Sequence, residues 1–102
     1  MMTIDKILNG NELTIILEGR LDTTTAPELE AVLLEQLEGD VSDLIFDFEK
    51  LEYISSAGLR VLLSTQRIMN KKENGSMKVI HVGEMIMEIF EVTGFTEILT
   101  IE

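Results

Sequence analysis

The chain has 102 residues, 45 % of them hydrophobic, which suits one compact domain and argues against disorder. It holds no cysteine, so disulfides, thiol catalysis and thiolate metal sites are excluded. With 19 acidic and 8 basic residues the formal net charge is −11, a surface that repels phosphate backbones and anionic lipid and suits protein partners.

No apolar run reaches the length of a membrane span. Asp5, Asn9 and Glu12 interrupt the N-terminus too early for a secretory signal, so the expected location is the cytoplasm. No linker, repeat or low-complexity stretch divides residues 1–102, which read as a single domain.

Thr3 to Leu8 and Glu12 to Glu18 are strand-like runs around Asn9-Gly10-Asn11, a hairpin signal that predicts two antiparallel strands. Thr25 with Glu28 three residues on reads as a capping box, and Pro27 fits a first helical turn. Leu29, Val32, Leu33 and Leu37 then recur at helical spacing, with Gly39 as the expected stop. Leu44 to Phe48 is the next strand. A second helix is predicted from about Ser56 to Lys72, apolar at Leu59, Leu62 and Leu63, with Lys71 and Lys72 at the end that favours cations. Asn74-Gly75 closes it.

Met77 to Val82 makes a further strand. Ile86, Ile89, Phe90 and Thr93 stripe a third helix that Gly94 terminates, and Glu97 to Ile101 forms a short last strand. The order β-β-α-β-α-β-α-β predicts an α/β fold: a mixed sheet with an N-terminal antiparallel hairpin and helical crossovers. Thr14, Asp47, Lys78 and His81 leave sheet positions polar, so the helices are expected mainly on one face.

The stretch Tyr53-Ile54-Ser55-Ser56-Ala57-Gly58-Leu59-Arg60 lies where the third strand hands over to the second helix. Ser55 or Ser56 can cap the unpartnered N–H groups of that helix, while Gly58 allows a tight turn. The same helix end favours negative charge, so a phosphate on one of these serines would be tolerated while changing the surface offered to a partner.

From Gly19-Arg20-Leu21-Asp22, through this serine turn, to Val92-Thr93-Gly94-Phe95, the chain resembles the STAS-domain anti-sigma factor antagonists of bacteria. The resemblance runs over nearly the whole length and implies the STAS fold. It also implies a function without catalysis. The unphosphorylated protein binds an anti-sigma factor that is a serine kinase of the GHKL ATPase type, and so frees a sigma factor. The kinase then phosphorylates the serine two residues before the turn glycine, and a PP2C-type phosphatase reverses it. Counted back from Gly58, that acceptor is Ser56, with Ser55 the second choice. Asp22 matches the acidic residue on the neighbouring loop. Asp22, Thr24, Ser55, Ser56, Ala57, Gly58 and Arg60 make up the expected partner-binding set.

This chain has Ser55 where the family often has Asp, and Ala57 where Ser or Thr is common. Many relatives carry a helix after the last strand, whereas this chain ends at Glu102. Arg60, one turn beyond Ser56, is placed to neutralise a phosphate or meet an acidic partner group. Arg20 shares the loop of Asp22. Met85 and Met87 flank Ile86 at the start of the third helix. Not all three can face the core, so an exposed methionine would offer an adaptable contact.

Two rival readings remain: a STAS subunit of a signalling or transport complex that is never phosphorylated, and a small hydrolase using Ser56. The hydrolase lacks a G-x-S-x-G elbow. His81, the lone histidine, reads as a packed or edge residue. No metal-spaced cluster of His, Cys and carboxylates and no phosphate-cradling glycine loop is present, so no cofactor, metal or direct nucleic-acid partner is expected. Asp47 as a receiver-type phosphoacceptor would want an acidic pair after the first strand, where Asn9-Gly10 stands instead.

Overall fold

The computed structural model describes residues 1–102. Its elements are β1 (Met2–Asn9), β2 (Glu12–Leu21), α1 (Ala26–Gln36), β3 (Asp43–Ile54), α2 (Ser56–Lys71), β4 (Ser76–Ile80), α3 (Glu84–Thr93) and β5 (Thr100–Ile101). A single 3-10 turn at Phe95–Glu97 takes up Glu97, where the last strand was expected to begin, and β5 starts only at Thr100. The predicted order of strands and helices is otherwise the observed one.

One five-stranded sheet runs β1-β2-β3-β4-β5 in chain order. The β1–β2 hairpin is antiparallel, with Asn9 opposite Glu12 across a two-residue loop. The other three pairings are parallel. Each parallel crossover steps the same way along the sheet, and right-handed connections then put all three helices on one face. Burial follows that geometry: Leu13, Ile15 and Leu17 of β2 and Leu44, Phe46 and Phe48 of β3 are buried, as are Met77 and Val79 of β4. The alternating Thr14, Ile16, Ile45, Asp47, Lys78 and Ile80 are only half-buried on the open face.

From the helical side, Leu29 and Leu33 of α1, Leu62 and Met69 of α2, and Ile86 and Phe90 of α3 complete a continuous core of 24 buried hydrophobic residues. Phe46, Phe48, Phe90 and Phe95 form a chain of rings at 5.9, 6.4 and 6.3 Å between centroids, tying α3 to the middle of the sheet.

Strand β3 is far longer than the Leu44–Phe48 segment expected. Between the pairs Ile16/Asp47 and Glu18/Lys50 it carries one extra residue, and between Gly19/Leu51 and Arg20/Tyr53 another. These bulges break the period-2 alternation at Glu49-Lys50, which is why the sequence pattern hides the continuation. They also bring Leu51 and Ile54 back to the core and carry the strand up to the serine turn.

The helix ends depart from expectation in two places. Thr25 does not cap α1 through its side chain. Its hydroxyl is turned inward, accepting from the Asp22 N–H at 2.8 Å and donating to the Arg20 carbonyl at 2.8 Å. No capping box with Glu28 forms. Gly39 does not end the helix either: α1 stops at Gln36, and the Leu37 N–H bonds to the Leu33 carbonyl. Gly94 does terminate α3 as expected, at φ 81°, with its N–H turned back to Phe90 and Glu91.

Candidate functional site at the serine turn

The C-terminal ends of β2 and β3 lie side by side, and each leads directly into a loop that carries expected site residues. The Ser55 N–H donates to the Leu21 carbonyl at 2.9 Å, tying the serine turn to the last residue of β2. Asp22 follows immediately on that strand. The two loops that the sequence separates by some thirty positions are thereby joined by one backbone bond.

The adjacent serines have different surroundings. Ser55 precedes α2 with extended backbone, φ −98° and ψ 176°, and its hydroxyl oxygen accepts from the Gly58 N–H at 3.4 Å. It is half-buried and acts as the helix cap. Ser56 is the first residue of α2, is exposed, and takes no part in that cap. Of the two hydroxyls, the exposed one outside the cap is that of Ser56.

Gly58 serves this turn differently from the expected way. It has no left-handed backbone. A Cβ placed on it would stand 2.7 Å from Leu21 Cγ and 2.9 Å from Ile54 Cγ1. The missing side chain lets the first turn of α2 sit directly on the ends of β2 and β3. Leu59, next in the chain, is buried below it.

Asp22 organises its own loop. One carboxylate oxygen accepts from the Thr24 N–H at 3.0 Å, the Thr24 hydroxyl at 2.8 Å and the Thr25 N–H at 3.2 Å. The Thr24 hydroxyl is the largest influence on its acidity. Partial burial opposes it, and the backbone groups of Thr24 and Thr25 add to it, so the carboxyl titrates below its ordinary 3.8. Asp22 is thus firmly anionic beside the serine turn. Its other oxygen faces Arg20 Nε at 3.9 Å, and the Arg20 guanidinium lies 4.3 Å over the Tyr53 ring.

Ala57 is half-buried and Arg60 exposed. Both line a shallow groove between the starts of α1 and α2, of about 240 Å³, with Thr23, Ala26, Pro27, Glu30 and Val61. Thr23 and Tyr53 lay outside the expected set. Tyr53 could have been found by pairing it with Arg20 across β2 and β3, had the second bulge been legible. Met85 is 61 % exposed, while Ile86 is 2 % exposed in the core, dividing the trio as anticipated.

Away from this corner, His81 sits at the end of β4 with φ 58° and places Nδ1 2.9 Å from Asp47 Oδ1. It is exposed, lies one residue past the end of an interior strand, and is bound to Asp47 of neighbouring β3. A depression of about 570 Å³ opens at the other end of the parallel strands and is lined by Glu12, Asp43, Ser76 and Lys78 among others. It is separate from the serine turn. No group of three or more His, Cys, Asp or Glu side chains is arranged to hold a metal ion.

A mixed sheet opened by a hairpin, covered by helices on one face and ending in this turn, defines a class, and the chain belongs to it: the STAS domain family, whose model matches residues 3–102. Among its relatives is BtrV of Bordetella bronchiseptica, assigned as an anti-sigma factor antagonist, 32 % identical over 98 % of this chain and 84 % of that one. The anti-sigma-B factor antagonist of Bacillus subtilis is 29 % identical over 98 % of this chain and 90 % of its own. In fold the chain is similar to the Bacillus cell fate determinant SpoIIAA in its phosphorylated form. That match has a TM-score of 0.76 and 18 % identity, over 100 % of this chain and 91 % of the other.

Proposed function

We propose that this protein is an anti-sigma factor antagonist switched by phosphorylation of Ser56. In its unphosphorylated form it binds an anti-sigma factor of the GHKL serine kinase type, which then releases its sigma factor. The observation that carries this reading is the exposed Ser56 hydroxyl at the first position of α2, beside a Ser55 already committed to capping. The names of the relatives support the class of partner.

In the kinase complex the Ser56 hydroxyl oxygen attacks the γ-phosphorus of ATP. The bond to the β–γ bridging oxygen breaks, ADP leaves, and the hydroxyl proton passes to a base on the kinase. The new group adds about −1.5 to −2 of charge at a helix end that favours an anion, so the domain keeps its fold. Its partner surface changes, because the dianion stands beside the ionised Asp22 carboxylate. Asp22, Thr24, Ser55, Ala57, Gly58 and Arg60 frame the contact, with Arg60 within one turn of the phosphate. A PP2C-type phosphatase restores the binding form. No catalytic role falls to this chain, so it is not an enzyme. No helix is long and apolar enough to cross a membrane, and we place this exchange between proteins in the cytoplasm.

The test is incubation with the anti-sigma kinase and labelled ATP, followed by mapping of the phosphate. Label on Ser56 that disappears in Ser56→Ala, with kinase binding lost in Ser56→Glu, is the expected result. Label that survives in Ser56→Ala and disappears in Ser55→Ala would move the acceptor. A folded protein that is never labelled and co-purifies with a transporter ATPase would favour the unphosphorylated scaffold instead.

A further inference from the structure

Helix α2 differs in charge from the rest of the molecule. Its sequence, SAGLRVLLSTQRIMNK, contains Arg60, Arg67 and Lys71 and no acidic residue, in a chain of net charge −11 with only 8 cations. Arg60, Arg67 and Lys71 are all exposed. The spacings of seven and four residues put them on one strip of the helix, and Ser56, four residues before Arg60, begins that strip. The strip is about 22 Å long.

Ordinary helix energetics do not account for the alignment. Lys71 stands in the last turn, where the macrodipole favours a cation, but Arg60 stands near the first, where it does not. None of the three is in an ion pair, those of the structure being Arg20–Asp22, Lys78–Glu102 and His81–Asp47. Helix α1 beside it offers Glu28, Glu30 and Glu35, and Glu30 shares a groove with Arg60, yet no bridge closes between the helices.

We infer that the outer strip of α2 is a docking ridge for an acidic surface of the anti-sigma kinase, guiding that partner along the helix toward Ser56. This rests on the reading of Ser56 given above and extends it to the electrostatics of encounter. The ridge is continuous with the proposed contact. Its sign is opposite to the field of the rest of the chain, so an acidic protein surface is attracted here and repelled elsewhere. A DNA duplex or anionic membrane presents negative charge well past the strip and so meets the repulsion of the remaining acidic surface, whereas a protein's acidic patch can be confined to the strip. Charges of this kind act mainly on association rate and its salt dependence.

The probe is the kinase that labels Ser56, and the readout is its association rate at about 50 mM and about 500 mM salt. Arg67→Glu with Lys71→Glu leaves the proposed Ser56 contact set untouched. It is expected to slow association about tenfold at low salt, to change dissociation less than about twofold, and to match the native protein at high salt. Arg67→Lys with Lys71→Arg should behave as native, and Arg67→Gln with Lys71→Gln should fall between. A reversed variant that keeps a native circular dichroism spectrum and associates at the native rate would overturn the ridge. If Ser56→Glu still abolished binding in that case, the phosphorylation switch would stand without it. A 20-base-pair duplex or phosphatidylserine vesicles bound by the native chain and released by the reversed variant would also overturn it, by assigning the strip to a polyanion.

Discussion

Ser55 and Ser56 are the same residue type one position apart, and the helix start gives them different work. The Ser55 oxygen holds the Gly58 N–H, so Ser55→Ala should lower unfolding stability by about 1 kcal/mol. Ser56→Ala should stay within about 0.5 kcal/mol, since an exposed hydroxyl outside the cap is removed. Urea unfolding of both variants checks the pair, and the reverse order of losses would contradict the assignment of cap and acceptor. Gly58→Ala tests the close approach of Leu21 and Ile54 and should cost about 1–3 kcal/mol through forced repacking. Of these roles, the motif spacing points to Ser56 as the proposed acceptor, and its exposure at the start of α2 supports that proposal. The reason for Gly58 was not legible in the sequence, because a contact with Leu21 crosses from one strand to another and no local pattern records it. The inward turn of Thr25 was hidden for a similar cause: its partners, Arg20 and Asp22, precede it, whereas a capping box looks forward.

Among the elements, the β2–α1 loop and the β4–α3 turn each hold a titrating side chain, with opposite consequences of pH. Asp22 titrates below its ordinary value in the folded loop. Its contribution is therefore present above about pH 3.8 and is lost as pH falls through the folded value. The stability gap between the native protein and Asp22→Ala should be open at neutral pH and shrink below pH 3.8.

His81 behaves in the opposite sense. The hydrogen bond to Asp47 and that carboxylate's charge raise it above its ordinary 6.5, against a smaller penalty from burial. For Asp47 itself, burial is the largest single influence and raises the carboxyl. The Glu49 N–H and His81, with Lys50 nearby, together outweigh it and leave the group lowered. The stabilisation from His81 is full below about pH 6.5 and fades as pH rises through the folded value. Stability measured by urea from pH 5.5 to 8.5 should fall in the native protein and flatten in His81→Asn, a residue that tolerates the left-handed backbone. The strand ends are where the sequence was least readable. Two bulges shift the phase of β3 midway, and a pattern with period 2 cannot survive a change of phase.

For the molecule as a whole, the order of elements and the single buried face of the sheet were legible, because β2, β3 and β4 alternate cleanly until a bulge and each helix carries its own apolar stripe. A fully buried residue common to helix and sheet packing shows how that core is held. Leu62 is 0 % exposed, and Leu62→Ala should lower stability by about 2–5 kcal/mol, read from the urea midpoint at unchanged slope. Phosphorylation is expected to do the reverse of such a core change. It makes a molecule already at −11 more negative, yet its charge rests at the N-terminal end of α2. The modified and unmodified forms should unfold at nearly the same urea concentration while separating clearly on native electrophoresis. A phosphoprotein that unfolded far earlier would show that Ser56 belongs to the core's support and not to its surface.

The chain contains no tryptophan and one tyrosine. That one is Tyr53, stacked under the Arg20 guanidinium two residues before the serine cap. Tyrosine emission from the free protein therefore arises at the edge of the proposed interface and nowhere else. A partner free of tryptophan and tyrosine settling on this corner, or a phosphoryl group arriving there, would alter the brightness of a single built-in lamp, so occupancy can be followed without attaching a dye.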